Sequence, residues 1–177
     1  MNTKIVKDQK FNHGFSLIEM LVVITVFAII AALATTALAL SIRGSKKSET
    51  AVEVKQNLDY ALSVIGRNLQ NSHAIIGCNS DTTRIDYTTA YNLNASFLCV
   101  GLGGADPYVA SVSAAVTTRV TNNKVNITAC SFTCDPATPP YNVVNVSISG
   151  VSSGVTGSEA TSITVSSEVF LRGTQRR

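Results

Sequence analysis

From Met20 to Ile42 the chain carries no charged side chain, and the polar residues in that run are Thr25, Thr35, Thr36 and Ser41. Hydroxyls of this kind can bond back to a helix carbonyl, so they do not interrupt an apolar helix. At 1.5 Å per residue the run spans roughly 34 Å, enough for a hydrocarbon core of about 30 Å. From Ser48 to Ser72 the pattern becomes amphipathic. Ala51, Val54, Leu58, Ala61, Ile65 and Leu69 recur at three- and four-residue spacing, while Glu49, Glu53, Lys55, Gln56, Asp59, Arg67 and Asn68 fall largely on other faces. Such a stripe predicts a helix packed on a domain. Gly44 and Gly66 cost about 1 kcal/mol each against alanine and mark where the helix can bend.

From Ile76 onward the chain breaks into short β-prone runs: Thr82–Thr88, Ser96–Gly101, Tyr108–Val120, Lys124–Ala129, Tyr141–Ser149 and Thr161–Arg172. Alternation is plainest in Tyr141–Ile148 and in Ile163–Ser166. Gly101-Leu102-Gly103-Gly104, Asp135-Pro136, Pro139-Pro140 and the segment Gly150–Gly157 punctuate the runs. Roughly a hundred residues suffice for one small antiparallel sheet on which the helical stripe can pack. The expected fold class is α+β, with a long N-terminal helix followed by a sheet.

The apolar run has an unusual start. Lys10-Phe11-Asn12-His13-Gly14-Phe15-Ser16-Leu17-Ile18-Glu19-Met20-Leu21 places a small residue after a basic leader and a single carboxylate at the head of the helix. A carboxylate in a bilayer costs about 2.5–3.5 kcal/mol even on lenient insertion scales, so its default reading is functional, with a partner. The stretch resembles the type IV pilin and pseudopilin superfamily over about Lys10–Ile42. The resemblance implies cleavage between Gly14 and Phe15 by a prepilin peptidase, N-methylation of Phe15, and a part for Glu19 in filament assembly. It also implies other pilin subunits, an inner-membrane assembly platform and membrane lipid as partners. The organisation it suggests is a leader (1–14), a transmembrane part (15–42), an exported amphipathic part of the same helix (43–75) and a β-rich domain (76–177). One departure concerns Thr36, which stands where major pilins commonly carry a proline; the first proline is Pro107. The match is therefore most like a minor pilin.

A secretory signal peptide is the competing reading of the apolar run, and Ala31-Ala32-Leu33-Ala34 and Ala37-Leu38-Ala39 offer small-x-small triplets for it. Its apolar stretch should be shorter, about 7–15 residues, and it has no use for a carboxylate near its start. Lys4, Lys7 and Lys10 before the span are matched by Arg43, Lys46 and Lys47 after it, so charge alone does not orient the helix. The resemblance implies a cytoplasmic N-terminus, a bacterial inner-membrane anchor and an exported C-terminal domain, in a surface or periplasmic filament after assembly. A single helix from Phe15 to His73 would run roughly 88 Å, which suits a filament lattice better than one domain core.

Charge changes the picture little. The chain has 14 basic and 11 acidic residues; a leader ending at Gly14 removes Lys4, Lys7, Lys10 and Asp8, leaving 11 against 10. A near-neutral chain has no general pull on nucleic acid. A DNA-uptake role would have to use Arg84, Arg119, Lys124, Arg172, Arg176 and Arg177. All four cysteines, Cys78, Cys99, Cys130 and Cys134, lie after the span. An even number on the exported side reads as two disulfides. Three connectivities are open, and pairing of sequence neighbours, Cys78–Cys99 and Cys130–Cys134, is the expected one. A metal site would show tighter paired spacings, and neither His13 nor His73 is placed to help.

No nucleophile elbow, phosphate loop or triad is present, and a processed chain would hold one histidine, His73. Asp81, Asp86, Asp106 and Asp135 are isolated. The expectation is a non-enzymatic structural subunit without cofactor or metal. Its alternatives are a type II secretion pseudopilin, a tip adhesin or a DNA-uptake pilin.

Overall fold

No proline interrupts the first element, α1 (Leu17–Gln70), which runs through 54 residues. The computed structural model describes residues 14–78, 82–154 and 160–172. The leader residues Lys4, Lys7, Lys10 and His13, together with Asp81, Arg176 and Arg177, lie outside them. The chain divides into two compact units, one ending at Gly44 and one beginning at Ser45.

In the first unit every described side chain is exposed, including Phe15, Leu21, Phe27, Leu33 and Leu40. The helix is long and apolar enough to cross a membrane. Thr25, Thr35 and Thr36 donate their hydroxyls to the carbonyls of Val22, Ala32 and Leu33 at 2.8, 2.9 and 2.8 Å, so no hydroxyl among the three is left for an apolar solvent to penalise.

The second unit has two sheets. In the first, β1 (Ala74–Gly77), β2 (Arg84–Thr88), β3 (Asn94–Val100), β4 (Tyr108–Ser113) and β5 (Val116–Arg119) follow one another as an antiparallel meander. In the second, β6 (Val125–Asp135), β7 (Val143–Ser152) and β8 (Ile163–Phe170) do the same. The expectation of one sheet is thus corrected to two. The expected stripe of α1 is the packing face: Val54, Leu58, Ala61, Ile65 and Leu69 are buried, and Ala51 is half-buried at its margin. They share a core with Ile85, Tyr87 and Phe97 of the first sheet and Phe132, Val144, Val146 and Ile148 of the second. Fully burying each such aliphatic side chain contributes about 1.5–3 kcal/mol, so this stripe holds the C-terminal part of the helix to the sheets.

Several strand boundaries differ from the sequence expectation, each for a local reason. Tyr108–Val120 is two strands, because the chain reverses at Ala114 and Ala115, both at positive φ (49° and 66°). The run expected to end at Ala129 continues to Asp135, past a register shift between Ile127 and Ala129. Ala74–Gly77, expected to be partly helical, forms a strand against β2, and His73 donates its backbone N–H to the Thr88 carbonyl at 2.8 Å.

The expected disulfide pairing is also corrected. Cys78 bonds to Cys134 and Cys99 to Cys130. Cys130 and Cys134 lie on one strand, where four residues at about 3.3–3.4 Å each separate their Cα atoms by roughly 13 Å. A disulfide needs Cα atoms about 4.4–6.8 Å apart. Cys78 follows β1 and Cys99 is on β3, with β2 between them, a distance of two strand spacings or roughly 9.6 Å. Across the two sheets the Cα separations are 6.1 and 6.2 Å. Both bonds therefore tie β6 to the five-stranded sheet. The same seam is closed by backbone hydrogen bonds, from Ile127 N–H to Pro107 O at 3.1 Å and from Phe132 N–H to Thr82 O at 2.6 Å.

Candidate functional site: the N-terminal helix start

Gly14, Phe15 and Ser16 precede the helix, and Leu17 opens it. The Ser16 carbonyl accepts from the backbone N–H groups of Glu19 (3.1 Å) and Met20 (3.2 Å), which sets Ser16 as the N-cap and Glu19 as the third helical residue. Serine followed three residues later by glutamate is the composition of a capping box, and a carboxylate in the first turn is favoured by the helix dipole. This spacing was not singled out from the sequence, and it places the Glu19 carboxylate in the first turn of α1.

Gly14 has no counterpart reason within the chain. A Cβ placed there would meet nothing within 4 Å, and its φ lies outside the left-handed region. The fold therefore does not require glycine at this position. Phe15 is 78% exposed, and Glu19 is exposed in the first turn of a helix whose next charged residue is Arg43. The site is thus an accessible small-residue junction followed, one short turn later, by a carboxylate on an uncovered apolar helix.

Among the described residues no cluster of three His, Cys, Asp or Glu side chains could hold a metal ion, and the four cysteines are all in disulfides. Arg84 pairs with Asp86, Arg119 with Asp106 and Lys124 with Glu53. Three of the basic residues a nucleic-acid surface would need are thereby engaged with carboxylates.

Compared with curated proteins and with solved structures, the chain finds no match. A family model described as the prokaryotic N-terminal methylation motif matches residues 9–35, a stretch containing Gly14, Phe15 and Glu19 and most of the apolar run. That motif stands at the head of a long helix packed on antiparallel sheets, and it supports a kinship with the type IV pilins and pseudopilins.

Proposed function

We propose that this protein is a minor structural subunit of a type IV pilus or a related filament machine. The observation that carries this reading is the surface of α1 up to Ile42: apolar on all sides, wholly uncovered, and interrupted by one carboxylate, Glu19. A helix apolar all round must be buried by lipid or by other helices. The motif supports both in turn, lipid before assembly and neighbouring subunits after it. The uninterrupted helix through Thr36 supports a minor over a major subunit.

In this reading a prepilin peptidase cuts between Gly14 and Phe15 at the cytoplasmic face, and the new amine of Phe15 is methylated. The exported unit carries the disulfides. The carboxylate of Glu19 then meets the Phe15 ammonium of a neighbouring subunit. In a low-dielectric setting such a pair attracts far more strongly than a surface pair, and an unpaired carboxylate is costly. Partners are the peptidase and methyltransferase, other pilin subunits, the assembly platform and lipid.

The test is a pair of variants read by mass spectrometry and co-purification. Gly14→Val should remain a full-length membrane precursor. Glu19→Ala should be cleaved and inserted but should fail to co-purify with pilin partners, with Glu19→Asp partly active. A mature N-terminus at Met1 or beyond Ala31, or normal filament incorporation of the alanine variant, would overturn the reading.

A further inference from the structure

The outer face of the five-stranded sheet carries a depression of about 320 Å³. Its cause is local. Gly77, Asp86, Ser96 and Val112 sit side by side across β1, β2, β3 and β4. Two of those four positions hold glycine and serine, so the sheet face sinks there. The walls are completed by Ile76, Arg84 and Asn94. The volume is at the lower end of the range for small-molecule sites, roughly 300–1,000 Å³.

The chemistry of the depression is selective. Ser96 is only 4% exposed and lines the cavity, and its hydroxyl makes no hydrogen bond within the protein among the described residues. Although the residue is nearly buried, its hydroxyl is not cut off from solvent but opens onto the depression, where a ligand group can take the place of water. Asp86 is held by Arg84, whose Nε lies 2.9 and 3.1 Å from the two carboxylate oxygens. A carboxylate has about four acceptor sites, so Asp86 keeps capacity toward the cavity. The two charges cancel each other, and the site favours neither an anion nor a cation. Asn94 adds a carboxamide that donates and accepts, while Ile76 and Val112 add aliphatic surface.

A ligand fitting this set is uncharged, presents several hydroxyls in different directions and has a hydrocarbon face. We propose that the depression binds one residue of a neutral saccharide, with ring hydroxyls on Asp86, Asn94 and Ser96 and ring C–H groups against Ile76 and Val112. The proposal does not rest on the filament reading, because every residue it uses lies in the unit that begins at Ser45.

The full chain, solubilised in a detergent without a sugar headgroup, would be titrated with glucose, galactose and N-acetylglucosamine while amide chemical shifts are followed. Saturable shifts confined to Asp86, Asn94, Ser96 and their strand neighbours are expected with at least one sugar, at millimolar concentration. Ser96→Ala removes the hydroxyl without added bulk and should weaken binding about tenfold, the equivalent of 1.4 kcal/mol. Ser96→Leu should fill the cavity and abolish binding, and Tyr91→Ala, on the exposed turn between β2 and β3, should change nothing. Absence of saturable shifts with all three sugars, full affinity in Ser96→Ala, or preferential binding of inorganic phosphate would each overturn the proposal.

Discussion

Gly150 of β7 lies directly beneath Leu58 of α1: a Cβ built at Gly150 would stand 3.4 Å from Leu58 Cδ2, 3.0 Å from Val125 Cγ1 and 3.2 Å from the Asn126 carbonyl oxygen. The helix and two strands of the second sheet meet at this point because one of them has no side chain. Overpacking of a filled core costs about 1–3 kcal/mol, so Gly150→Ala should lower the unfolding free energy by that order. Leu58→Ala, which opens a cavity instead, should cost about 2–5 kcal/mol. Urea unfolding of the single variants and of Gly150→Ala/Val125→Ala provides the check. The double variant should cost less than the sum of its parts, since the second change makes room for the first. Strict additivity would show that the contact is not tight.

The two disulfides should be unequal partners in one seam. Cys78–Cys134 closes a loop of sequence separation 56 and Cys99–Cys130 one of 31. Loop entropy assigns each about 4 kcal/mol, the longer slightly more. The shorter loop is nested inside the longer, so the two contributions overlap. Replacing either pair by serine should therefore be tolerated better than replacing both. Proteolytic mapping without reduction should recover a peptide joining the Cys78 and Cys134 segments, and another joining those of Cys99 and Cys130. Recovery of a Cys130–Cys134 intrachain loop would contradict the two-sheet arrangement.

The elements legible in the sequence were those whose side-chain period stays in phase. Val54 to Leu69 keeps the helical period without a break, and Val144, Val146 and Ile148 alternate cleanly along β7. In β6 the alternation runs through Val125 and Ile127, then resumes at Cys130, Phe132 and Cys134 after the register shift. That change of phase concealed a strand long enough to carry two half-cystines, and with it the disulfide connectivity. The hairpin at Ala114–Ala115 was concealed because no glycine or asparagine announced it. The N-terminal site was legible because its residues are contiguous. The depression around Ser96 was not, since it depends on the register of four strands.

The β4–β5 turn is a place where stability has been left unused. Both Ala114 and Ala115 hold positive φ, and the register from Ser113↔Val116 outward closes a two-residue loop. Two-residue hairpin loops of this kind favour asparagine and glycine, and left-handed backbone costs an ordinary L-residue about 1–2 kcal/mol. Ala114→Asn/Ala115→Gly should raise the melting temperature by several degrees, since about 1 kcal/mol corresponds to roughly 2–8 °C for domains of this size range. A lowered melting temperature, read by circular dichroism of the full chain, would mean that the methyl groups make contacts worth more than the strain.

Acid should loosen the neighbouring corner of the first sheet. Arg119 clasps Asp106 with two hydrogen bonds, Nη1 to Oδ2 at 2.7 Å and Nη2 to Oδ1 at 2.9 Å. It also donates from Nε to the Thr121 carbonyl at 2.8 Å and lies 4.6 Å from the centre of the Tyr108 ring. The hydrogen bonds from Arg119, reinforced by its charge and partly opposed by desolvation, hold the Asp106 carboxyl below its ordinary value. A carboxyl depressed in the folded state adds stability above its unfolded pKa, about 3.9, and loses it as pH falls through the folded value. Asp106→Asn should thus be less stable than the parent at pH 7, and the difference should shrink as pH is lowered through 4 and vanish once both carboxyl forms are protonated. The pair is exposed to solvent, so salt should also reduce the difference. Arg119→Lys should lose stability at pH 7 as well but keep part of its deficit in acid, because an ammonium cannot span both oxygens, the Thr121 carbonyl and the ring face at once, and the last two contacts do not depend on Asp106. A melting-temperature deficit that stays constant from pH 7 to pH 2 would show that Asp106 acts through packing and not through its charge.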